Sequence, residues 1–310
     1  MAQVPSSRQD CPTLTLALGI QCPDIWIGPG QNHGIVVLSA DKGGPGFTGA
    51  LTLVGHADLG STKIKRLAQG GAMIWPGQTT PSGRLTQEIA LATATEADIL
   101  LTASPAEAVV YQESVLDVAV DIDQRCDGPT GPVHLKGVGL PRLATNASAT
   151  IPAGQTKGWI SFFFSASLPP GPYTFAVQAE TIGPGKAGTT LVSNPITVHV
   201  RPARIVLEIA PNTPQKIGRG KIIQLRYTAE RKHGFIGKIH TELVAPGGVV
   251  GLRARGVTLV GQSDSGSLQV IATEDAPLGR QQFLRLEAVG TVEDQPVFRA
   301  SRFFELEITE

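Results

Sequence analysis

The feature of this chain that most constrains its fold is an internal repeat. Three landmarks recur at an offset of 106 residues: residues 99–105 at residues 205–211, residues 115–121 at residues 221–227, and Gly128-x-x-Gly131 at Gly234-x-x-Gly237. An offset that is kept over three separate landmarks indicates tandem copies of one structural unit. A chain of 310 residues is long enough for two or three such units, each with a core of its own.

A shorter copy precedes these two. Its landmarks lie 82 residues before those of the second copy: residues 16–23 before 98–105, residues 35–41 before 117–123, and residues 46–49 before 128–131. A Gly-Gln pair heads a strand-like run in every copy, at Gly77-Gln78, Gly154-Gln155 and Gly261-Gln262. These registers predict three domains, at residues 13–97, 98–202 and 203–310.

Each copy has the pattern of short β-strands. It opens with an apolar run that ends at a proline, which cannot donate to a β-ladder and so closes an edge strand. The next run alternates, most clearly at Ile223, Leu225 and Tyr227, with the two-residue period of a half-buried strand. The paired glycines then predict a tight turn. They are followed by predicted strands at residues 50–54, 133–138 and 238–243.

About seven short strands in about 100 residues is the pattern of an immunoglobulin-like β-sandwich. We therefore predict an all-β protein made of tandem immunoglobulin-like β-sandwiches, with little helix. The first copy is short by about a hairpin, and an incomplete sandwich leaves an open sheet edge. We expect a partner strand, the N-terminal segment or the shared residues 98–105 to complete that edge, unless a smaller sandwich closes on its own.

The order of the motifs resembles a known family. In the second copy Gly128-x-x-Gly131 is followed by a strand, by Gly139-Leu-Pro141 and by residues 151–155, which read Ile-Pro-Ala-Gly-Gln. This order is similar to the immunoglobulin-like repeats of large bacterial surface and secreted proteins, and planctomycete-type repeats look most similar. The third copy departs from it, since Ala245-Pro-Gly247 replaces Gly-Leu-Pro. The resemblance implies spacer or adhesive modules that are extracellular or attached to the cell surface.

Charge and hydropathy exclude two classes of function. The 26 Lys and Arg residues balance the 26 Asp and Glu residues, so no overall field attracts nucleic acid. The longest apolar windows fall far short of the roughly 20 residues of a membrane span. We therefore expect neither nucleic-acid binding nor membrane insertion. No signal peptide is recognisable in residues 1–20, so we expect export by another route or a chain that is a fragment.

The cysteines do not form a recognisable framework. Cys11, Cys22 and Cys126 are an odd number without CxxC spacing, which predicts neither a zinc site nor a set of disulfides. A bridge between Cys11 and Cys22 is one interpretation, and small apolar core residues are the other.

The sequence contains no recognisable motif for catalysis. The string at residues 261–266 has one residue too many for a nucleophile elbow, and no loop has the spacing that wraps a phosphate. We therefore predict no enzyme activity and no catalytic residues. Asp121, Asp123 and Asp127 cluster around the end of one strand, and calcium needs several such oxygens at once. A solvated turn is the alternative for these carboxylates, and no other cofactor is expected.

One group of aromatic residues is the best candidate interaction surface. Phe162, Phe163 and Phe164 are consecutive, so alternate rings must face opposite sides of a strand, and Trp159 lies nearby. Packing between copies is the alternative role for Phe163 and Trp159. The predicted function is a non-catalytic structural or adhesive array in a secreted or cell-surface protein, with a protein or polysaccharide partner. The alternative function is a carbohydrate-binding accessory region of a larger extracellular hydrolase, which requires exposed aromatic side chains at this place.

Overall fold

β-strands make up the regular structure of the residues that the computed structural model describes. The residues that it describes are 19–41, 43–74, 82–86, 88–93, 99–124, 131–146, 149–182, 188–213, 215–245, 249–293 and 295–310. They contain no helix, which confirms the predicted all-β class. Within these ranges there is accordingly no helix of the length and apolar character that crossing a membrane requires.

Residues 20–92 form eight short strands that pair in twos. They are β1 (Ile20–Gln21), β2 (Ser39–Ala40), β3 (Thr48–Leu51), β4 (Val54–Leu59), β5 (Thr62–Leu67), β6 (Gly70–Ile74), β7 (Ser82–Thr86) and β8 (Ile89–Ala92). β1 pairs with β2, and the β3–β8 pair encloses the hairpins β4–β5 and β6–β7 along the chain. The sandwich expected for residues 13–97 stays a prediction, because residues 1–18, 75–81 and 94–98 lie outside the described part.

Residues 99–201 form a two-layer structure, here called the middle sandwich. Its strands are β9 (Ile99–Ser104), β10 (Glu107–Tyr111), β11 (Ser114–Gln124), β12 (Val133–Val138), β13 (Ala144–Asn146), β14 (Ala149–Ile151), β15 (Lys157–Phe164), β16 (Gly171–Ile182), β17 (Gly188–Val192) and β18 (Ile196–Arg201). One sheet has the order β13-β15-β11-β9, and the other has the order β10-β18-β16-β12-β14, with β17 also paired to β16. The ladders are antiparallel except for β10 with β18, which run parallel.

Residues 205–309 repeat this arrangement in what we call the C-terminal sandwich. Its strands are β19 (Ile205–Ile209), β20 (Lys216–Gly218), β21 (Ile222–Arg231), β22 (Lys238–Val244), β23 (Leu252–Ala254), β24 (Val257–Leu259), β25 (Ser265–Ala272), β26 (Gly279–Val292) and β27 (Gln295–Thr309). The sheets have the orders β19-β21-β25-β23 and β20-β27-β26-β22-β24, and β20 runs parallel to β27 as β10 does to β18. In the lettering of immunoglobulin domains, strands A, B, E and D are β9, β11, β15 and β13 in the middle sandwich and β19, β21, β25 and β23 in the C-terminal sandwich. Strands C, F and G are β12, β16 and β18 in the first and β22, β26 and β27 in the second, so both sandwiches have the immunoglobulin-like topology. Tandem immunoglobulin-like sandwiches are confirmed over these two copies.

The period of two along β15 decides which aromatic rings enter the core. Ile160, Phe162 and Phe164 point inward and are fully buried, and the Phe162 ring lies 4.7 Å from the ring of Phe175 in the opposite sheet. The intervening residues of β15 face outward, since successive side chains in a strand point to opposite faces. The outward face of this sheet is therefore the surface on which functional side chains are expected.

The Gly-Gln landmarks lie at equivalent turns. Gly154 has a φ of 78° just before β15, and Gly261 has a φ of 61° just before β25. Glycine is the residue that adopts this left-handed conformation at no steric cost, so the repeat of this pair reflects a repeated turn. The predicted strands at residues 133–138 and 238–243 are found as β12 and β22. Gly77-Gln78 lies outside the described residues.

Candidate interaction surface

The outward face of the sheet β13-β15-β11-β9 carries the residues that the sequence singled out. Trp159 lies there opposite Ala119 of β11, and its side chain is 67% exposed. Ser104 of β9 extends the same row across the sheet, because it pairs with Ala119 from the other side. Trp159 is therefore exposed beside two small side chains, those of Ala119 and Ser104.

Phe163 lies four residues further along the same face but has a different environment. Its ring contacts the ring of Phe303 in β27 of the C-terminal sandwich, edge to face, with the centroids 5.7 Å apart. The two aromatic residues of the predicted interaction surface therefore have different environments. Phe163 takes part in packing between the sandwiches, which was the alternative role, and Trp159 remains open to solvent.

A bidentate ion pair joins the two sandwiches beside this aromatic contact. The Arg285 side chain donates from Nη1 to Oδ1 of Asp117 over 3.1 Å and from Nη2 to Oδ2 over 2.6 Å. Ser161, the residue opposite Asp117 in the ladder, donates its hydroxyl to the same carboxylate. Burial raises the pKa of Asp117, but the hydrogen bonds and charge of Arg285, with the Ser161 bond, lower it by more, so the pKa lies below its usual value. The carboxylate is therefore charged when the sandwiches are in contact.

Arg285 is held in place from its own side as well. Its Nε lies 3.2 Å from Oε2 of Glu287, a residue that is only 7% exposed, and Arg299 lies 3.3 Å from the other oxygen of the same carboxylate. Burial lowers the pKa of Arg285, whereas the bonds to Asp117 and the nearby carboxylates raise it by more. Fixing a planar guanidinium before contact reduces the entropy lost when it binds a carboxylate.

A third set of contacts lies at the connection between the sandwiches. The ring of Phe298 in β27 is in edge contact with Tyr111 of the middle sandwich and with Phe235, both at 5.1 Å, and Arg204 lies over its face. The Ser301 amide donates to the carbonyl oxygen of Glu113 over 2.7 Å. Main-chain and aromatic contacts therefore reinforce the ion pair.

The short connection itself is tied down. Oε1 of Gln112 in the middle sandwich accepts a hydrogen bond from the Ala203 main-chain amide. The main-chain amide of Gln112 donates to the carbonyl oxygen of Arg201. On the other side the Lys232 amide donates to the carbonyl of Arg204. The residues between β18 and β19 are thus hydrogen-bonded to both sandwiches.

The candidate calcium ligands share the face of Trp159. Asp121 pairs in the ladder with Lys157, whose Nζ lies 3.3 Å from its carboxylate, and Asp123 follows two residues later on the same side. Asp127 lies outside the described residues. Within the described part of the chain no three His, Cys, Asp or Glu side chains are grouped so that they would hold a metal ion. A calcium site that involves Asp127 stays a prediction.

Two histidines occupy equivalent positions in the middle and C-terminal sandwiches. Nδ1 of His134 in β12 lies 3.2 Å from the hydroxyl of Thr150, and Nδ1 of His240 in β22 lies 3.0 Å from the hydroxyl of Thr258. Each histidine is exposed on a strand and bonded to the neighbouring strand. At both equivalent positions, therefore, the histidine links two neighbouring strands on the outer surface of the sheet.

Residues 26–35 pack on the middle sandwich, an arrangement that no sequence pattern indicates. The Thr174 amide donates to the carbonyl of Trp26, and the Trp26 amide donates to the Thr174 hydroxyl. The Tyr173 hydroxyl lies within hydrogen-bond distance of the carbonyls of Pro29 and Pro169, and burial raises its pKa to about 12. This segment thus occupies the side of β16 beyond the end of β12, where the sheet would otherwise be open.

Both interpretations of Cys11 and Cys22, a bridge or small apolar core residues, stay open, because Cys11, like Cys126, lies outside the residues that the structure describes. Among the residues that the sequence did not identify, Arg285, Asp117 and Phe303 matter most. The only sequence signal for them is a charged or aromatic residue at an outward strand position. Such a signal does not name the partner.

Comparison with known proteins assigns no family to the chain. No family model matches it, and no curated protein matches it. Among solved structures, domains 5-6 of the S-layer protein SbsC are 11% identical to it, over 67% of this chain and 95% of that one, with a TM-score of 0.24. The fibronectin(III)-like modules of Clostridium thermocellum CbhA are 12% identical to it, over 67% of this chain and 93% of that one, with a TM-score of 0.22. The CBD12 region of CALX1.2 is 8% identical to it, over 63% of this chain and 83% of that one, with a TM-score of 0.23. At these TM-scores the likeness carries no argument, and the assignment of tandem immunoglobulin-like sandwiches rests on the strand order.

Proposed function

We propose that this chain is a non-catalytic structural or adhesive array of immunoglobulin-like modules in a secreted or cell-surface protein. The observation that carries the proposal is the contact between the middle and C-terminal sandwiches. It combines the Asp117–Arg285 ion pair, the Phe163–Phe303 rings and the hydrogen bond from Ser301 to Glu113. The partner in this proposal is a protein or polysaccharide at the cell surface.

The physical basis is rigidity. Two domains joined by a short connection swivel by default unless their interface holds them. Here the ion pair, the ring contact and the hydrogen-bonded connection join the two sandwiches at separate places. An array that keeps a fixed angle between modules transmits position and force along its length, which is the task of a spacer or an adhesive stalk.

Hydrogen exchange and small-angle scattering test this function together. We expect the Asp117→Ala/Phe303→Ala double variant to lose protection at the Ser301 amide and to show a broader distribution of overall dimensions. The matched control is Lys216→Ala, which removes the exposed ion pair with Glu307 inside the C-terminal sandwich. If wild type and double variant give the same scattering curve and the same Ser301 exchange rate, the contact does not fix the angle and the proposal fails.

A carbohydrate-binding accessory region is the second candidate, and the exposure of Trp159 favours it. Exposed aromatic rings stack on the apolar faces of sugars. Its test is co-sedimentation of the full chain with insoluble polysaccharides and envelope material, with and without calcium. Binding that disappears in Trp159→Ala supports this candidate, and dependence on calcium supports a site at Asp121 and Asp123. Protein that stays in the supernatant throughout leaves the passive spacer.

A further inference from the structure

A cleft of about 440 Å³ opens between the two sandwiches, beside the Phe163–Phe303 contact. We call it the junction cleft. Four phenylalanines and five polar residues line it, and the phenylalanines are Phe163, Phe283, Phe303 and Phe304. Its size falls within the range of ligand pockets in proteins. Both sandwiches contribute walls, so the cleft exists only because the inter-sandwich angle is fixed.

Phe283 is the most informative residue of this cleft. Its φ is 60°, in the left-handed region that bulky residues rarely adopt. It lies where the pairing of β26 with β27 shifts register between Gln281 and Leu284, and bulges of this kind re-aim a side chain. The ring is nevertheless 50% exposed, so burial in the core does not compensate for the backbone strain. A strained residue with an exposed ring is an indication of function.

The polar lining indicates what the cleft binds. Thr145 offers a hydroxyl group and Gln282 a side-chain amide. The Ser161 hydroxyl already donates to Asp117, and Oδ1 of Asn146 accepts from the Gly137 amide over 3.4 Å. The carboxylate of Glu305 is already paired with Nε of Arg280 at 2.8 Å. The cleft thus combines aromatic faces with uncharged donors and acceptors. This combination matches a sugar, which has apolar C–H faces and a rim of hydroxyl groups.

We propose that the junction cleft is a binding site for a neutral oligosaccharide, with Phe283 as the stacking residue. Trp159 extends the site, because it lies on the same face of β15 two residues before Ser161, roughly 7 Å further along the strand. A chain that leaves the cleft along β15 meets this second ring. The inference rests on the second candidate function above and names the site at which it acts.

Calorimetric titration of the full chain with cellohexaose, xylohexaose, laminarihexaose and chitohexaose tests the site. We expect at least one of these sugars to bind, and Phe283→Asn to weaken its binding at least tenfold. Asparagine tolerates the left-handed conformation, so this variant removes the ring without lowering the melting temperature. Trp159→Ala should weaken the hexasaccharide more than the disaccharide of the same series. The matched control is Ile236→Asn, which alters a side chain that is 84% exposed outside the cleft.

Two outcomes overturn the proposal. One is that none of the four sugars binds, and the other is that Phe283→Asn binds the sugar as tightly as wild type does. A proline-rich decapeptide titrated in parallel identifies a peptide site if it alone binds and Phe283→Asn abolishes that binding, and this result also refutes the sugar site. Exchange at the Ser301 amide is measured separately, so loss of the rigid array and absence of a sugar site are told apart.

Discussion

Arg285 of the C-terminal sandwich holds both carboxylate oxygens of Asp117 in the middle sandwich, at 3.1 and 2.6 Å. This pair fixes direction as well as distance, because a fork of two parallel hydrogen bonds resists rotation about either one. The pair is partly open to solvent, since the Asp117 side chain is 41% exposed. The ion pair therefore contributes more to the orientation of the two sandwiches than to the overall free energy of unfolding.

A double-mutant cycle measures this pair. We expect Asp117→Asn and Arg285→Gln to show a coupling free energy of about 1 kcal/mol, the upper part of the range for partly exposed ion pairs. The measurement is the free energy of unfolding in urea for wild type, both single variants and the double variant. Additive effects within error would show that the two side chains do not interact in solution.

The lowered pKa of Asp117 makes the contact sensitive to acid. Because the folded pKa lies below the unfolded value of about 3.9, the stabilising contribution is complete above about pH 5 and is lost as the pH falls through the folded pKa. We expect wild type to lose more stability than Asp117→Asn between about pH 5 and about pH 2. Urea midpoints at a series of pH values check this.

The other carboxylates near the contact are present in both proteins, so their contribution cancels in the difference. Parallel curves for wild type and Asp117→Asn would contradict the assignment of the lowered pKa to Asp117.

Gly28 sets how closely residues 26–35 approach the middle sandwich. A Cβ at this position would lie 2.3 Å from the ring of Tyr173, which is fully buried and cannot move aside. We expect Gly28→Ala to destabilise the protein by about 1–3 kcal/mol, as overpacking does. The Thr174 amide, which donates to Trp26, should exchange faster with solvent.

Gly131→Ala is the control for that change, because a Cβ added at Gly131 would meet no atom within 4 Å. If both substitutions change the free energy of unfolding by the same small amount, residues 26–35 do not pack on Tyr173 in solution.

The alternation along β15 predicts effects of very different size for two aromatic residues of the same strand. Phe162 is fully buried, so Phe162→Ala should lower the free energy of unfolding by about 3–5 kcal/mol. Trp159 is largely exposed, and Trp159→Ala should change it by no more than about 0.5 kcal/mol. Urea unfolding of the full chain measures both. A large loss from Trp159→Ala would mean that this ring is covered in solution.

The architecture of the two complete sandwiches followed from local patterns. The alternation at Ile223, Leu225 and Tyr227 is found in β21, and the consecutive phenylalanines of β15 face opposite sides as expected. The position of residues 26–35 did not follow from any pattern. The described residues of the first copy form strands that pair in twos, and the sandwich expected there stays a prediction.

What the sequence alone determined is the class of fold, its strand order in outline and the division of each strand into inward and outward residues. These are local properties, because the period of two and the left-handed glycines act within a few residues of the chain. What only the tertiary structure decided is which outward residues meet. Asp117 and Arg285 are 168 residues apart, and their contact depends on how one sandwich is placed against the other. That placement is the sum of many weak contacts across the chain, and no local period encodes it.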